Sequence, residues 1–327
     1  MNSFESRINL NIPLSSLSEV VSEIYGLGKF KENKIIEIGY EDFNYILSTT
    51  KGKYIVKVFS TIRTDKDTIN LTNRAVSAFE NGISCPKLYK NIGGGNYLSF
   101  IEISGVKYRL IVMDYIEGND FYTLDSKPND KELITIAKEL AKLNNIDYRP
   151  PLIYDKWAII NFKEEYNKNI SLVSKDDKIL IDKVYEKFNQ IDLTKLKYGF
   201  VHGDIIVTNI IKEAKSGKLY FIDFSVSNYL PRIVDIAVSI CDLCLDFNEK
   251  EALGRMKIFL NAYQHISPLS EYEKECLNIF LATHQAITVL ETTREKIEEN
   301  NDSKENEDFL KKGQVGLRFV FNHLTQK

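Results

Sequence analysis

Residues 198–225, YGFVHGDIIVTNIIKEAKSGKLYFIDFS, constrain this chain more than any other stretch. A short apolar run ends at His202-Gly203-Asp204, Asn209 follows five residues after the aspartate, and a second apolar run ends at Asp223. Two carboxylates and a carboxamide presented from loops at strand ends suit a metal-bound phosphate, which is the layout of a phosphoryl-transfer site. His-Gly-Asp with Asn at this distance should arise by chance on the order of once in a thousand chains of this size. Each residue type has a chemical reason to be there. Asp204 can accept a hydrogen bond from a substrate hydroxyl and orient it for in-line attack. Asn209 offers a neutral oxygen and Asp223 a charged one to Mg²⁺, a hard cation that takes oxygen ligands. The bland alternative is that Asp204 caps a turn and Asp223 ends a strand.

Bulk properties narrow the classes. At 327 residues, two lobes sharing a cleft are expected. The net charge of -3 supplies no basic excess, so no nucleic-acid partner is expected. Apolar runs stay short of the roughly 18 residues of a membrane span, and residues 1–10 lack a signal-peptide pattern. The expected location is the cytoplasm, with no membrane partner. Cys241 and Cys244 form a Cys-x-x-Cys pair. Ala237, Ile240, Cys241 and Cys244 also share helical spacing, which favours a buried stripe over zinc or redox chemistry.

Along the chain, residues 13–28 predict an amphipathic helix. Residues 35–38, 43–48 and 53–59 then predict three antiparallel strands. Gly39 lies in the turn between the first two, either a loop over nucleotide phosphates or a plain hairpin turn. Lys57 interrupts an apolar strand, where an unpaired ammonium is costly. It either meets an anion such as a phosphate or points to solvent from an edge. A helix over 68–80 and strands over 97–103 and 107–114 complete a five-stranded N-terminal lobe, residues 1–117. The backbone around Tyr115–Gly118 marks the crossing to a second lobe, residues 118–327. That lobe is predicted to be mainly helical, with helices over 130–143, 157–166, 176–190, 233–247, 250–265, 270–299 and 309–324. Residues 300–308 read as a polar connector.

These motifs resemble the aminoglycoside phosphotransferase and choline kinase superfamily. His202-Gly203-Asp204 with Asn209 matches its catalytic loop, Ile222-Asp223-Phe224 its metal-binding strand end, and Lys57 its phosphate-contacting lysine. The resemblance implies an α+β, bilobal protein-kinase-like fold and a Mg²⁺- and ATP-dependent kinase acting on a small-molecule hydroxyl. It also implies an adenine-pairing hinge at Asp114 and Ile116, and a family aspartate at Asp235. A finer match, to phosphotransferase-fold homoserine kinases, rests on residues 36–47, 82–86 and 262–271. Departures are the absence of an acid in 68–79 to pair Lys57, glycine at 203 where those kinases usually have alanine, and an apolar spacer over 205–208. The alternatives are an aminoglycoside phosphotransferase and a non-catalytic binding protein. Asp242, Asp246, Glu291, Glu295, Glu298 and Glu299 could floor a site for polycations, though a solvated helix face is the commoner use of such acids. Arg232 or Arg294 could hold the carboxylate of homoserine. Trp157 with Tyr154 makes too small a box for choline, and His284 reads as a packed core histidine. The oligomeric state is left open.

Overall fold

Alternation of side chains builds the first sheet. In the computed structural model, which describes residues 3–37, 42–245 and 248–323, Phe43, Tyr45 and Leu47 on one strand and Tyr54, Val56 and Val58 on the next enter a common core. These belong to β2 (Phe43–Thr49) and β3 (Lys53–Val58), flanked by β1 (Phe30–Ile36), β4 (Leu88–Tyr89), β5 (Ser99–Ile103) and β6 (Val106–Asp114). The sheet runs β1-β2-β3-β6-β4 with β5 also on β6, and all pairings are antiparallel. Two-residue β4 makes a sixth strand beside the five expected, because a run that short carries no period to read in the sequence. The helices α1 (Ser3–Ser6), α2 (Leu14–Ile24) and α3 (Asp65–Glu80) complete this part. Leu17 and Val21 of α2 pack into the same core. A Thr64 and Asp67 capping box starts α3 three residues before the apolar pattern does.

The chain divides into two compact units, Met1–Gly118 with Glu213–Ser225, and Asn119–Lys212 with Val226–Lys327. The segment carrying Asp223 thus belongs to the sheet unit, although sequence order alone assigned it to the second lobe. Its strand Leu219–Phe221 is tied there by Ser84, whose carbonyl accepts from the Phe221 N–H at 2.8 Å and whose hydroxyl donates to the Leu219 carbonyl at 2.6 Å.

The second unit is α4 (Asp130–Leu143), α5 (Phe162–Asn169), α6 (Lys175–Phe188), α7 (Ile233–Cys244), α8 (Glu249–Ile266), α9 (Glu271–Glu298) and α10 (Lys304–His323). Every residue of α7 is buried, which marks a central helix packed on all sides, with Asp235, Ser239 and Asp242 as its buried polar residues. Cys241 and Cys244 are free thiols within that core. The 28-residue α9, about 42 Å long, packs against α5, α6, α7 and α10. A capping box of Ser270 and Glu273 begins it. The last helix starts at Lys304, inside the expected polar connector. Ser303 accepts from the Asn306 N–H at 3.2 Å, and the Asn306 amide donates to the Thr292 carbonyl, so local capping and one tertiary bond extend the helix. Among the described residues no helix is long and apolar enough to cross a membrane.

Candidate active site

In the sheet unit, Lys57 lies between Val56 and Val58, so its side chain turns to the face opposite the core. There its ammonium is 3.2 Å from Asp42 and 3.9 Å from Asp223. Burial alone would lower the lysine's pKa, but the carboxylates of Asp223 and Asp42 more than offset this and hold it raised. Asp42 is itself buried, accepting from Arg63 Nε at 2.9 Å and from the Ser60 N–H at 3.1 Å. Burial pushes the Asp42 carboxyl up, and Lys57 and Arg63 outweigh it to leave the group below the usual carboxylate range. Asp223 occupies the left-handed region at φ 63°, a conformation that costs a non-glycine residue about 1–2 kcal/mol. Its side chain is half exposed, and Oδ1 accepts from the Ser225 N–H at 3.2 Å.

Asp42 is the acidic partner of Lys57 that sequence reasoning missed. A signal was available: Asn44 pairs with Lys57 across the ladder, and Asp42, two residues earlier, falls on the same face. The acids of α3 are engaged elsewhere, Asp65 with Lys107 and Arg109, Asp67 in the helix cap and Glu80 with Lys90. At the end of β6, Asp114 has its N–H on the Lys87 carbonyl at 2.9 Å, and its carboxylate accepts from the Tyr89 hydroxyl at 2.6 Å. Ile116 is half buried two residues further on. Gly39 lies outside the described residues.

In the helical unit, two short strands, Tyr198–Val201 and Asn228–Pro231, pair antiparallel and deliver the His-Gly-Asp loop. Gly199 is required there, since a Cβ would come within 2.2 Å of the Asn144 carbonyl oxygen. Gly203 turns the chain at φ 87°. His202 is fully buried, and its Nδ1 accepts from the Asp204 N–H at 3.3 Å. The Asn209 amide donates to Asp204 Oδ2 at 2.7 Å and to the Asp204 carbonyl at 3.0 Å. With its NH₂ committed in this way, Asn209 presents its carbonyl oxygen elsewhere. Asn209 Oδ1 and the Asp223 carboxylate are hard oxygen donors that suit Mg²⁺ in kind.

The loop is gripped from beneath by two aspartates of α7. Asp235 accepts from the Gly203 N–H at 2.7 Å, the His202 N–H at 2.9 Å and Asn144 Nδ2 at 2.7 Å. Burial pushes its carboxyl up to about 6, against the pull of these donors. Seven residues on, and so on the same helix face, Asp242 accepts from the Val207 N–H at 2.8 Å. Asp242 also binds Lys312 Nζ at 2.5 Å.

Several acceptor-site candidates are already committed to partners within this unit. Arg232, almost wholly buried, binds Glu273 through two bonds of 2.7 and 2.8 Å and also meets Ser267 and the Pro268 carbonyl. Arg294 pairs with Glu291 and Glu299, Lys156 with Glu295, and Glu298 lies 3.8 Å from Arg294. The described acids therefore form an internal ion network rather than an open acidic floor, and Asp246 lies outside the described residues. His284 is half buried on α9, and burial lowers its pKa to about 4.

A strand lysine paired with carboxylates, and a His-Gly-Asp loop anchored on a buried helix, define the protein-kinase-like class of phosphotransferases. Comparison with known proteins agrees. Residues 32–269 match the model of the phosphotransferase enzyme family, and the chain belongs to that family. A homoserine kinase of Methylobacillus glycogenes is 24% identical over 255 residues, covering 76% of this chain and 75% of that one. Among solved structures, an amicoumacin kinase in complex with AMP-PNP and Ca²⁺ superimposes with a TM-score of 0.68 at 15% identity, covering 97% of this chain and 96% of that one. The choline kinase LicA of Streptococcus pneumoniae gives 0.62 at 17% identity, covering 94% and 100%. The structural likenesses establish the fold, and family membership makes the chain a small-molecule kinase.

Proposed function

We propose that this protein is an ATP- and Mg²⁺-dependent kinase of the cytoplasm that phosphorylates a hydroxyl of a small, homoserine-like acceptor. The observation that carries the reading is the Asp204–Asn209 hydrogen bond in a loop whose N–H groups are bound by Asp235. Asp204 is the group that accepts the hydrogen bond of the acceptor hydroxyl, aims it at the γ-phosphate and takes its proton. Lys57, held between Asp42 and Asp223, contacts the nucleotide phosphates. Asp114 and Ile116 offer backbone groups to the adenine edge. By the family resemblance, Asn209 and Asp223 would each offer an oxygen to Mg²⁺. When bound, that ion supplies positive charge to the phosphate oxygens. Most of the barrier is lowered by such positioning and electrostatics, so rigid anchoring of the loop matters as much as the acid itself.

The acceptor assignment draws on homoserine kinases as sequence relatives. A Mg-ATP consumption assay over homoserine, choline, methylthioribose and kanamycin, with Asp204→Ala as background, tests both levels. Turnover with homoserine is expected. Turnover with kanamycin alone would replace the acceptor. If no substrate exceeds background and Mg-ATP leaves the melting temperature unchanged, the kinase reading itself fails.

A further inference from the structure

The helical unit contains a cleft of about 720 Å³, within the roughly 300–1,000 Å³ range of small-molecule sites. Its lining includes Val207, three residues after Asp204 in the same loop, together with Phe121, Phe309 and Val315 as apolar panels. The charged lining is unequal: among the described residues, Lys127, Lys304, Lys311 and Lys312 face it against Asp125 and Asp308. Two of these lysines are half buried and anchored at the cleft base. Lys127 Nζ donates to the Asp242 carbonyl and Lys312 Nζ to its carboxylate, each at 2.5 Å. The same carboxylate receives the Val207 N–H.

We propose that this cleft is the acceptor site and that its lysines recognise a carboxylate on the acceptor. The inference rests on the kinase reading above and adds the charge class and the recognising residues. Even with Asp242 counted beside Asp125 and Asp308, four lysines outnumber three acids, and this positive balance favours an anion and repels the polycationic aminoglycosides and the quaternary ammonium of choline. Asp242 links the same lysines to the loop that carries Asp204, so the carboxylate is bound at a fixed offset from the reacting hydroxyl. The apolar panels take the carbon chain between the two groups, and the volume admits hydroxy acids larger than homoserine.

Calorimetric titration of the full-length protein tests this without requiring turnover. The ligands are homoserine, its amino diol analogue lacking the carboxylate, 4-hydroxybutyrate, pantothenate, inorganic phosphate and kanamycin. The wild type is compared with Lys311→Glu and Lys304→Glu, which change exposed rim residues, and with Lys127→Gln and Lys312→Gln. At least one carboxylate should bind, weaken with added salt, and lose about tenfold or more in affinity in the lysine variants. The amino diol should bind at least tenfold more weakly than homoserine and be unaffected by the variants. The assignment is overturned if carboxylate and diol bind equally, if both lose affinity alike in the rim variants, if kanamycin or phosphate binds as well as the carboxylates, or if no carboxylate binds saturably. Stabilisation by Mg-ATP, followed in parallel by thermal shift, reports on the kinase reading separately.

Discussion

Replacing Asp42 by Asn isolates the least anticipated contact of the sheet unit. The carboxylate is bound by Lys57, by Arg63 Nε and by the Ser60 N–H. Breaking one side of a buried ion pair costs about 3–5 kcal/mol. Here the two cations keep nearly a fifth of their surface exposed, 18% for Lys57 and 17% for Arg63, and Asp223 remains near Lys57. An asparagine also keeps an acceptor for one donor. These discounts bring the expected loss to about 2–3 kcal/mol, or about 1 M in urea midpoint for a unit with m of about 2–3 kcal/mol/M. The exposed pair of Glu80 and Lys90 is the control, and Glu80→Gln should cost less than about 0.5 kcal/mol. The pH dependence has a defined sign. The folded carboxyl lies below its ordinary value, so its stabilisation is present above about pH 4 and lost as pH falls through the folded pKa. Wild type and Asp42→Asn should therefore converge in acid. Because Lys57 loses its nearer carboxylate, KM for ATP should rise about tenfold, while kcat at saturating ATP changes less. A variant within 0.5 kcal/mol of wild type at pH 7, with unchanged KM for ATP, would refute the argument that Asp42 positions Lys57.

Asp204→Ala should reduce kcat by about 10²–10⁴-fold, the usual worth of a positioned base, while thermal stabilisation by Mg-ATP persists; loss of that stabilisation would show a nucleotide-binding defect instead. Asp235→Asn leaves an NH₂ facing one of two backbone donors, so kcat should fall on the order of 100-fold through displacement of the loop, as a steady-state assay would show. Its stability signature is opposite to that of Asp42. With a folded pKa raised to about 6, the carboxyl's contribution is complete below about pH 4 and lost as pH rises through 6, so denaturation curves of wild type and Asp235→Asn should draw together over that window. Arg232→Met strands the buried Glu273 and should destabilise by about 3–5 kcal/mol in chemical denaturation; a well-folded variant that instead loses acceptor affinity would return Arg232 to the site.

The parts of this fold that were readable in the sequence are those set by local spacing. Alternation gave the strands around Lys57, and α4 begins and ends where its apolar stripe predicts, with an Asn129 cap that the structure adds. The His202 to Asn209 spacing was readable because the Asn209 amide reaches back only five residues to Asp204. What holds those groups comes from far along the chain: Asp235 contacts His202 and Gly203 from more than 30 residues away, and Asn144 reaches Asp235 across 91. No local pattern marks Asn144, which sits at an ordinary helix end. Asp242 was closer to legible, since a second aspartate seven residues after Asp235 shares its helix face, yet in sequence it looked like one more member of an acidic floor. Charge on helix faces is the least legible layer for a physical reason. An acid four residues from an arginine has the same pattern whether it meets solvent, a ligand or a counter-charge on another helix. The packing of α9 against α5 and α10 decides among these, burying Glu291 beside Arg294 and bringing Lys312 from α10 to Asp242 of α7. The sign of the acceptor cleft therefore follows from which charges the packing leaves facing it, and here those are mostly lysines.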